Sequence, residues 1–211
     1  MIVVTPHLGD AVLGCGELLA AHPGAVVVSV FAGIPSGAYV VPEWDAVCGF
    51  GSPRQAVTVR RREDRAALEV LDAEPCWLNF PDSQYRRSAT LDEVGVRLGR
   101  ALRRHRPDLV AIPLGLLPGD HELAHEAAVR LMKHIKCDWL AYDDAPPFQR
   151  GYALEDRLAR FKTEHWPVAQ NPYLKRHAGE CYESLARGCA RAGRELGSWL
   201  AAPERCWRLS P

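Results

Sequence analysis

Three side chains in the sequence have the types and spacing of metal ligands. His7 and Asp10 lie three residues apart in a turn that leads into a predicted helix, so both can face one ion. His121 can supply a third ligand from a neighbouring loop. Two imidazoles and one carboxylate that leave a coordination position open are the ligand set of a catalytic zinc site. Zinc polarises a carbonyl group and lowers the pKa of water to about 7.

The same side chains also permit a structural interpretation without a metal. An imidazole and a carboxylate near the start of a helix can act as a turn residue and a helix cap. Spacing and topology alone therefore leave both roles open for His7 and Asp10.

The elements that position these residues alternate between short apolar runs and longer amphipathic segments. Strands are predicted for the apolar runs at residues 1–4, 25–31, 76–80, 108–114 and 137–144. Helices are predicted for residues 11–21, 54–72, 90–105 and 121–133, with a long helix near 173–200 and a late edge strand at 205–209. This alternation predicts an α/β fold, with a parallel sheet covered on both faces, in a single domain over residues 1–211.

Polar side chains follow the predicted strands where each strand ends. In open parallel sheets, ligands bind outside the carboxyl ends of the strands. His7 and Asp10 follow the first strand, Asp82 follows the third, and Asp120 and His121 follow the fourth. The residues capable of chemistry are therefore expected at one edge of the sheet.

A long irregular connection over residues 32–53 is rich in glycine and proline, and connections of this length are usually functional or mobile. Trp44 and Asp45 within it are candidates for a wall of the substrate pocket, because an aromatic face suits a sugar ring. A packing role is the alternative for Trp44. Tyr142 closes the fifth strand and can donate a hydrogen bond to a developing oxyanion, with ordinary strand-end packing as the alternative.

Composition disfavours several classes of partner. The chain has 26 basic and 26 acidic residues, so neither nucleic acid nor a membrane is an expected partner. Neither a signal peptide nor a transmembrane run is expected. Seven scattered cysteines without a Cys-x-x-Cys pair fit free thiols in a reducing compartment, so the predicted location is cytoplasmic. A small-molecule substrate is the expected partner, and a homo-oligomer stays open.

Beyond spacing, the stretch "TPHLGDAVLGCGELLA" from Thr5 resembles the first motif of the PIG-L and LmbE-like de-N-acetylases. The segments "RRREDRAALEVL", "FPDSQY" and "DHELAHEAAV" resemble later parts of that family in the same order. The resemblance implies a Rossmann-like three-layer fold with a mostly parallel sheet and a bound Zn²⁺ or another divalent metal. It also implies hydrolysis of an N-acyl amino sugar, a glycoconjugate or a related small amide.

The resemblance further implies roles for individual residues. His7, Asp10 and His121 match the metal ligands, and Asp120 matches an acidic residue that orients a neighbouring histidine. Arg60 begins a helix motif, Arg-x-x-Glu, that lies near the site in this family. The predicted substrate-binding residues are Trp44, Asp45, Arg60 and Asp82, and the predicted catalytic residues are Asp120 and Tyr142.

The chain departs from the family's pattern at two positions that transfer protons. The first motif of the family has two adjacent aspartates, of which the first is the general base, and Gly9 stands in its place. A histidine that acts as an acid or oxyanion partner leads the second motif, and Pro118 stands there. Loss of one positioned acid or base typically lowers a rate by about 10²–10⁴-fold.

Three hypotheses follow from these departures. The protein is a metal-dependent hydrolase with reduced or atypical activity, a non-catalytic relative that binds a ligand or partner through the retained metal pocket, or a repurposed enzyme that uses the metal as a Lewis acid. His125 is an alternative third ligand, because it lies four residues beyond His121 on the same helix face. The Gly-Asp-His order at residues 119–121 favours His121.

Overall fold

Short β-branched runs form strands, and the amphipathic segments between them form helices. This computed structural model describes residues 1–37, 40–85, 89–145 and 153–210. The strands are β1 (Ile2–Thr5), β2 (Ala25–Ser29), β3 (Ala73–Trp77), β4 (Leu109–Pro113), β5 (Asp138–Tyr142), β6 (Lys162–Trp166) and β7 (Cys206–Ser210). The helices are α1 (Asp10–Ala20), α2 (Glu43–Val47), α3 (Pro53–Val70), α4 (Leu91–His105), α5 (Asp120–Met132), α6 (Ala153–Leu158), α7 (Pro172–Glu180), α8 (Glu183–Arg191) and α9 (Leu196–Leu200).

The strands form a seven-stranded sheet in the order β3-β2-β1-β4-β5-β7-β6. β1 lies inside the sheet and is parallel to both neighbours, with Ile2 opposite Val26 in β2 and Val110 in β4. β3 and β5 extend the parallel part, whereas β7 is antiparallel to β5 and β6 is antiparallel to β7. The predicted α/β fold with a mostly parallel sheet between helical layers is confirmed.

Side chains of the central strands alternate between two apolar cores, one on each face of the sheet. Ile2 and Val4 belong to the core that also contains Leu102 of α4. Val3 belongs to the opposite core, together with Leu68 of α3. Burying each such side chain contributes roughly 1.5–3 kcal/mol, so the two cores hold β1 rigidly and the turn that follows it starts from a fixed point.

The third strand, β3, spans Ala73–Trp77, so it begins and ends three residues earlier than the strand predicted at residues 76–80. Its pairing with β2 runs from Ala25 opposite Ala73 to Ser29 opposite Trp77. The apolar run continues beyond the sheet, where Leu78 and Phe80 pack against the core without belonging to the strand. The apolar run therefore corresponds to a segment packed on the core, and it does not give the first and last residues of the paired strand.

The last third of the chain differs most from the prediction. The expected edge strand at 205–209 is β7, which lies between β5 and β6. The edge position belongs to β6, whose residues are mostly exposed and polar, and the sequence pattern missed it. The long helix expected near 173–200 is divided into α7, α8 and α9, with non-helical backbone at Tyr182 and a positive φ at Gly193.

A buried ion pair joins the end of the chain to the first helix. α1 is kinked at Cys15, which has a φ of −148°. The Glu204 carboxylate accepts hydrogen bonds from the backbone N–H groups of Glu17 and Leu18, at 2.7 and 3.0 Å. Lys175 of α7 lies 3.0 Å from the same carboxylate, and both side chains are 1% exposed.

None of the helices formed by the described residues has the length and apolar character needed to cross a membrane. All seven cysteines are unpaired, and those at positions 15, 48, 189 and 206 are buried.

Candidate metal centre

The turn between β1 and α1 brings His7 and Asp10 into contact. The backbone N–H of His7 donates to Asp10 Oδ2 over 3.1 Å, and His7 Nδ1 lies 3.2 Å from the same oxygen. Gly9 between them is the N-cap residue of α1 and has a φ of 98°, a conformation that disfavours residues with a side chain. The turn therefore presents an imidazole and a carboxylate together at the carboxyl end of β1.

His121 reaches the same place from the first turn of α5, which follows β4. Its Nε2 lies 3.6 Å from Asp10 Oδ2, and its ring centroid is 5.2 Å from that of His7. One ligand atom from each of His7, Asp10 and His121 lies within 4.8 Å of the other two. Side chains from two separate loops are thus close enough to share one divalent cation.

Each imidazole is also held by a carboxylate on its other side. Asp120 Oδ2 lies 3.1 Å from His7 Nε2 and also accepts the backbone N–H of Ser83. Asp144 Oδ2 lies 2.7 Å from His121 Nδ1 and is buried at the end of β5. Metal-binding histidines usually donate their second nitrogen to such a carboxylate, which fixes the ring and its tautomer. The donor set therefore fits a divalent cation.

The electrostatics of this cluster favour a positive charge between the carboxylates. Burial lowers the pKa of His7, but hydrogen bonds with Asp10 and Asp120 and the charge of Asp82 outweigh it and raise the pKa well above its ordinary value. Burial raises the pKa of Asp10, yet its contacts with His7 and His121 make the net shift downward. A metal ion would take over this positive charge and release a proton.

Asp82 lies near the same nitrogen of His7 as Asp120 does. Its Oδ2 is 3.8 Å from His7 Nε2, and its two oxygens accept the backbone N–H and the side-chain amide of Gln84. His7, Asp82 and Asp120 form a second group whose ligand atoms lie within 4.8 Å of one another. The predicted substrate-binding residue Asp82 is therefore placed beside the candidate metal ligands.

A cavity of about 350 Å³ opens directly beside His7 and Asp10. The predicted residues Trp44, Arg60 and Asp82 all line it, and Tyr182 and Glu63 contribute further polar atoms. Most of its remaining wall is apolar and comes from Leu13, Phe31, Val57, Leu185 and Trp199. The cavity can therefore receive a ligand with one polar end at the ligand cluster and an apolar end against this wall.

Asp45 supports this wall without lining it. The carboxylate is fully buried and lies 2.7 Å from Arg60 Nη1, and it also accepts the Tyr85 hydroxyl at 2.9 Å. Its predicted role as a direct substrate ligand gives way to a supporting one, because Arg60 stands between it and the cavity as its ion-pair partner. Arg60 is held in place by this pair.

Tyr142 and His125 lie away from the ligand cluster. The Tyr142 hydroxyl donates to the backbone carbonyl of Val4 over 3.0 Å, and the side chain is fully buried in the core. Its expected oxyanion role is corrected to core packing, since that hydroxyl is already engaged inside the sheet. His125 is also fully buried, with Nδ1 2.8 Å from the Pro113 carbonyl oxygen, so the structure brings His121 to Asp10 and not His125.

Two carboxylates at the site had no specific role assigned to them from the sequence, although Asp144 was expected at this edge of the sheet. Asp144 holds His121, and Asp64 of α3 accepts the backbone N–H of Gly9 at 3.2 Å. Asp144 follows a strand end next to β4, which was a usable signal. Asp64 sits within a charged helical segment and resembles any solvated residue there, so only the structure reveals its burial.

The two altered proton-transfer positions have different surroundings. A Cβ atom on Gly9 would lie 3.4–3.6 Å from ring atoms of Tyr182, so an aromatic ring flanks this position. Pro118 is exposed in the turn before α5. Neither residue offers a side chain that transfers protons.

Solved structures with similar folds include several deacetylases. Two structures of a teicoplanin deacetylase, a triple mutant and a zinc-inhibited form, are 25% and 22% identical to this chain, each with a TM-score of 0.81. Both comparisons cover 99% of this chain and 97% of the other. The N,N'-diacetylchitobiose deacetylase from Pyrococcus horikoshii is 16% identical, with a TM-score of 0.63 over 100% of this chain and 83% of its own.

The fold is also shared by an enzyme of a different class. The 4-carboxy-2-hydroxymuconate hydratase from Pseudomonas putida is 22% identical, with a TM-score of 0.62 over 100% of this chain and 95% of its own. Among curated proteins no sequence match was found. Residues 2–132 match the family described as PIG-L, GlcNAc-PI de-N-acetylase. This match spans more than half of the 211 residues and confirms the resemblance, so the chain belongs to the PIG-L family.

Proposed function

We propose that this protein is a divalent-metal-dependent amide hydrolase that removes the acyl group from an N-acyl amino sugar. The observation that carries the proposal is the convergence of His7, Asp10 and His121 at one edge of the sheet, with a carboxylate behind each imidazole. These three residues would hold Zn²⁺, which when bound polarises an acyl carbonyl and lowers the pKa of water.

The cavity suggests the class of substrate. A polar end at the ligand cluster and an apolar wall that includes Trp44 and Trp199 suit a sugar that carries an apolar substituent. Deacetylases with this fold support that choice, since one of them was solved in complex with teicoplanin and another acts on N,N'-diacetylchitobiose. We propose an N-acetyl amino sugar joined to an apolar group as the substrate.

The chain's own residues would bind and orient this substrate. Arg60 is fixed by Asp45 and can donate to sugar hydroxyls or to an acyl oxygen from the cavity wall. Asp82, which lines the cavity near His7 Nε2, can accept hydrogen bonds from sugar hydroxyls. Asp120 keeps the His7 ring in place. Because Gly9 and Pro118 supply no acid or base, we expect turnover to be slower than in a relative with both groups, by at least about 10²-fold.

Metal content and hydrolysis test this proposal together. Protein purified without added zinc is analysed for metal, and acyl release is followed on N-acetylglucosamine glycosides with and without an apolar aglycone. We expect one divalent ion per chain and faster release from the apolar glycosides. His121→Ala should lose both metal and activity, whereas His134→Ala, at an exposed position, is the matched control. Stoichiometric metal without release from any glycoside contradicts the hydrolase assignment.

A second candidate is a repurposed or non-hydrolytic relative that keeps the metal pocket. The loss of both proton-transfer groups favours it, and the hydratase with the same fold shows that this architecture is not confined to deacetylases. Restoring the family base by Gly9→Asp separates the two candidates. The φ of 98° at Gly9 disfavours a side chain, and the Tyr182 ring flanks the position. Gly9→Asp is therefore tested alone and together with Tyr182→Ala, and circular dichroism checks that each variant folds. Hydrolysis that appears only in these variants supports the second candidate.

A further inference from the structure

A buried carboxylate on α3 connects three separate parts of the structure. Asp64 is 2% exposed, and its Oδ1 accepts the backbone N–H of Gly9 at 3.2 Å and the Tyr182 hydroxyl at 3.0 Å. Its Oδ2 accepts the indole N–H of Trp77 at 2.8 Å. One side chain thus joins the turn after β1, the end of β3 and the α7–α8 junction.

This carboxylate is an unfavourable choice for its position on stability grounds alone. The other buried residues of α3, such as Ala67 and Leu68, are apolar. Burial, together with the nearby charge of Asp10, raises the pKa of Asp64 to about 6, although its three hydrogen bonds act in the opposite direction. All three partners are neutral donors, which compensate a buried charge less well than a cation does. A local requirement other than core packing therefore explains an aspartate here.

The requirement lies in the turn that carries two of the candidate ligands. Leu8 and Gly9 separate His7 from Asp10, and the glycine has more backbone freedom than any other residue. As the N-cap residue it also has an N–H group that the helix does not use. Asp64, which belongs to the long helix α3, accepts a hydrogen bond from that N–H group. This bond fixes the orientation of the peptide between the two ligands.

The same carboxylate also holds the ring that lies against this turn. Tyr182 ring atoms are 3.4–3.6 Å from the place of a Gly9 Cβ, and the hydroxyl of that ring donates to Asp64. Tyr182 also lines the cavity beside His7 and Asp10. The ligand turn is therefore fixed from two sides, by a hydrogen bond to its backbone and by contact with an anchored aromatic ring.

We infer that Asp64 is a positioning residue for the metal centre, which holds the Gly9 peptide and Tyr182 so that His7 and Asp10 keep the separation required to bind one cation. The inference rests on the proposed function only in taking these two residues as metal ligands.

Two measurements on Asp64→Ala test this inference. In metal-free protein, hydrogen exchange of the Gly9 amide should accelerate at least about 10-fold, because its acceptor is gone. Titration with Co²⁺ should show affinity weakened by about 10–100-fold, the usual loss when a residue behind a metal ligand is removed, together with an altered visible absorption spectrum. A merely structural role would leave that spectrum unchanged.

Trp77→Phe is the matched control, because it removes another donor to Asp64 and leaves the bond to Gly9 intact. It should bind Co²⁺ within about 3-fold of wild type and with the same spectrum. If Asp64→Ala does not fold, Asp64→Asn replaces it, because the amide has one acceptor oxygen for the three donors. Combining Asp64→Asn with Trp77→Phe removes one of these donors and should restore part of the Co²⁺ affinity.

The outcomes separate this inference from the proposed function. Wild-type Co²⁺ affinity and spectrum in a folded Asp64 variant overturn the inference, and so does unchanged exchange at Gly9. If the wild-type protein itself binds no Co²⁺, the proposed function fails and the metal part of the inference fails with it. If Co²⁺ binds and Asp64→Ala behaves as expected while no glycoside is hydrolysed, the inference stands without the hydrolase assignment.

Discussion

Two charged clusters border the cavity, and their buried charges are compensated in different ways. In the Arg60 wall, Arg60 lines the cavity and Asp45 lies behind it. In the His7 wall, the lining residues are His7, Asp10 and Asp82, with His121, Asp120 and Asp144 behind them. On the Arg60 wall, the buried Asp45 has a guanidinium partner and a tyrosine hydroxyl within the protein. On the His7 wall, the side chains at Asp10, Asp82, Asp120 and Asp144 surround only two imidazoles. Asp45 is therefore balanced by Arg60, whereas the four carboxylates of the His7 wall outnumber its two imidazoles.

This difference indicates which wall depends on a ligand. An internally paired wall has the same structure with or without a bound molecule. A wall with excess carboxylates is stabilised when His7 is protonated or when a cation binds between the carboxylates. We therefore expect the His7 wall to respond to metal and to pH, and the Arg60 wall to respond only to mutation.

Breaking the paired wall should have the largest effect on stability. Arg60→Ala leaves the fully buried Asp45 without its cation, and removal of one partner of a buried pair typically costs about 3–5 kcal/mol. Urea denaturation measures this loss. Arg62→Ala is the control, because Arg62 lies two residues along the same helix at an exposed position. It should change the free energy of unfolding by less than about 0.5 kcal/mol.

A double variant shows whether charge causes this loss. Asp45→Asn combined with Arg60→Met removes both charges and should recover much of the stability lost in Arg60→Ala. Equal destabilisation of the single and double variants would mean that packing, and not an unpaired carboxylate, dominates at this wall.

Asp64 lies behind the His7 wall and should make stability depend on pH. Its pKa of about 6 in the folded protein is higher than in the unfolded chain, so the folded state binds more protons between pH 4 and pH 6. The Asp64 contribution is therefore full below about pH 4 and is lost as the pH rises through 6, by about 3 kcal/mol. Wild type should show this decline relative to Asp64→Asn in urea denaturation at each pH. Parallel curves for the two proteins would contradict it.

Metal should stabilise the protein through the His7 wall. At a free Zn²⁺ concentration of 100 times Kd, binding to the folded state alone raises the free energy of unfolding by about 2.7 kcal/mol. Thermal denaturation of chelator-treated protein, with and without zinc, measures the effect. Asp10→Ala should abolish the increase, because this carboxylate lies between the two imidazoles. An equal increase in that variant would place the zinc elsewhere.

The smallest expected change concerns the support of His121. Asp144→Ala should weaken zinc binding by about 10–100-fold, because the ring loses the carboxylate that orients it. Asp138→Ala, at the start of the strand that Asp144 follows, is the matched control, since its side chain is exposed and pairs with Arg208. Isothermal titration gives both affinities, and equal values would show that His121 needs no orienting partner.

The centre of the fold could be predicted from sequence because its strands depend on local composition. The runs around Val3, Val27 and Val110 are apolar and β-branched, and they form buried parallel strands. The polar β6 gave no such signal, because an edge strand is stabilised by backbone pairing to β7 and not by burial. The break between α7 and α8 likewise depends on packing around Tyr182, which periodicity does not report.

The candidate site divides in the same way. His7, Asp10 and His121 could be proposed because they lie in motifs at the carboxyl ends of strands. Tyr142 also lies at a strand end, but its hydroxyl bonds inside the sheet. The direction of a side chain at a strand end, and the burial of Asp64 in a charged segment, are set by tertiary packing, so local sequence did not predict them.

The Glu204 carboxylate in the kink of α1 has a practical consequence for fragments of this protein. Two backbone N–H groups of the helix that begins at Asp10 donate to the carboxylate of a residue seven positions before the end of the chain. A truncated form limited to residues 2–132 would retain every candidate ligand yet leave those amides unsatisfied and remove Lys175. Expression trials that aim at a minimal catalytic unit should therefore keep the C-terminal segment.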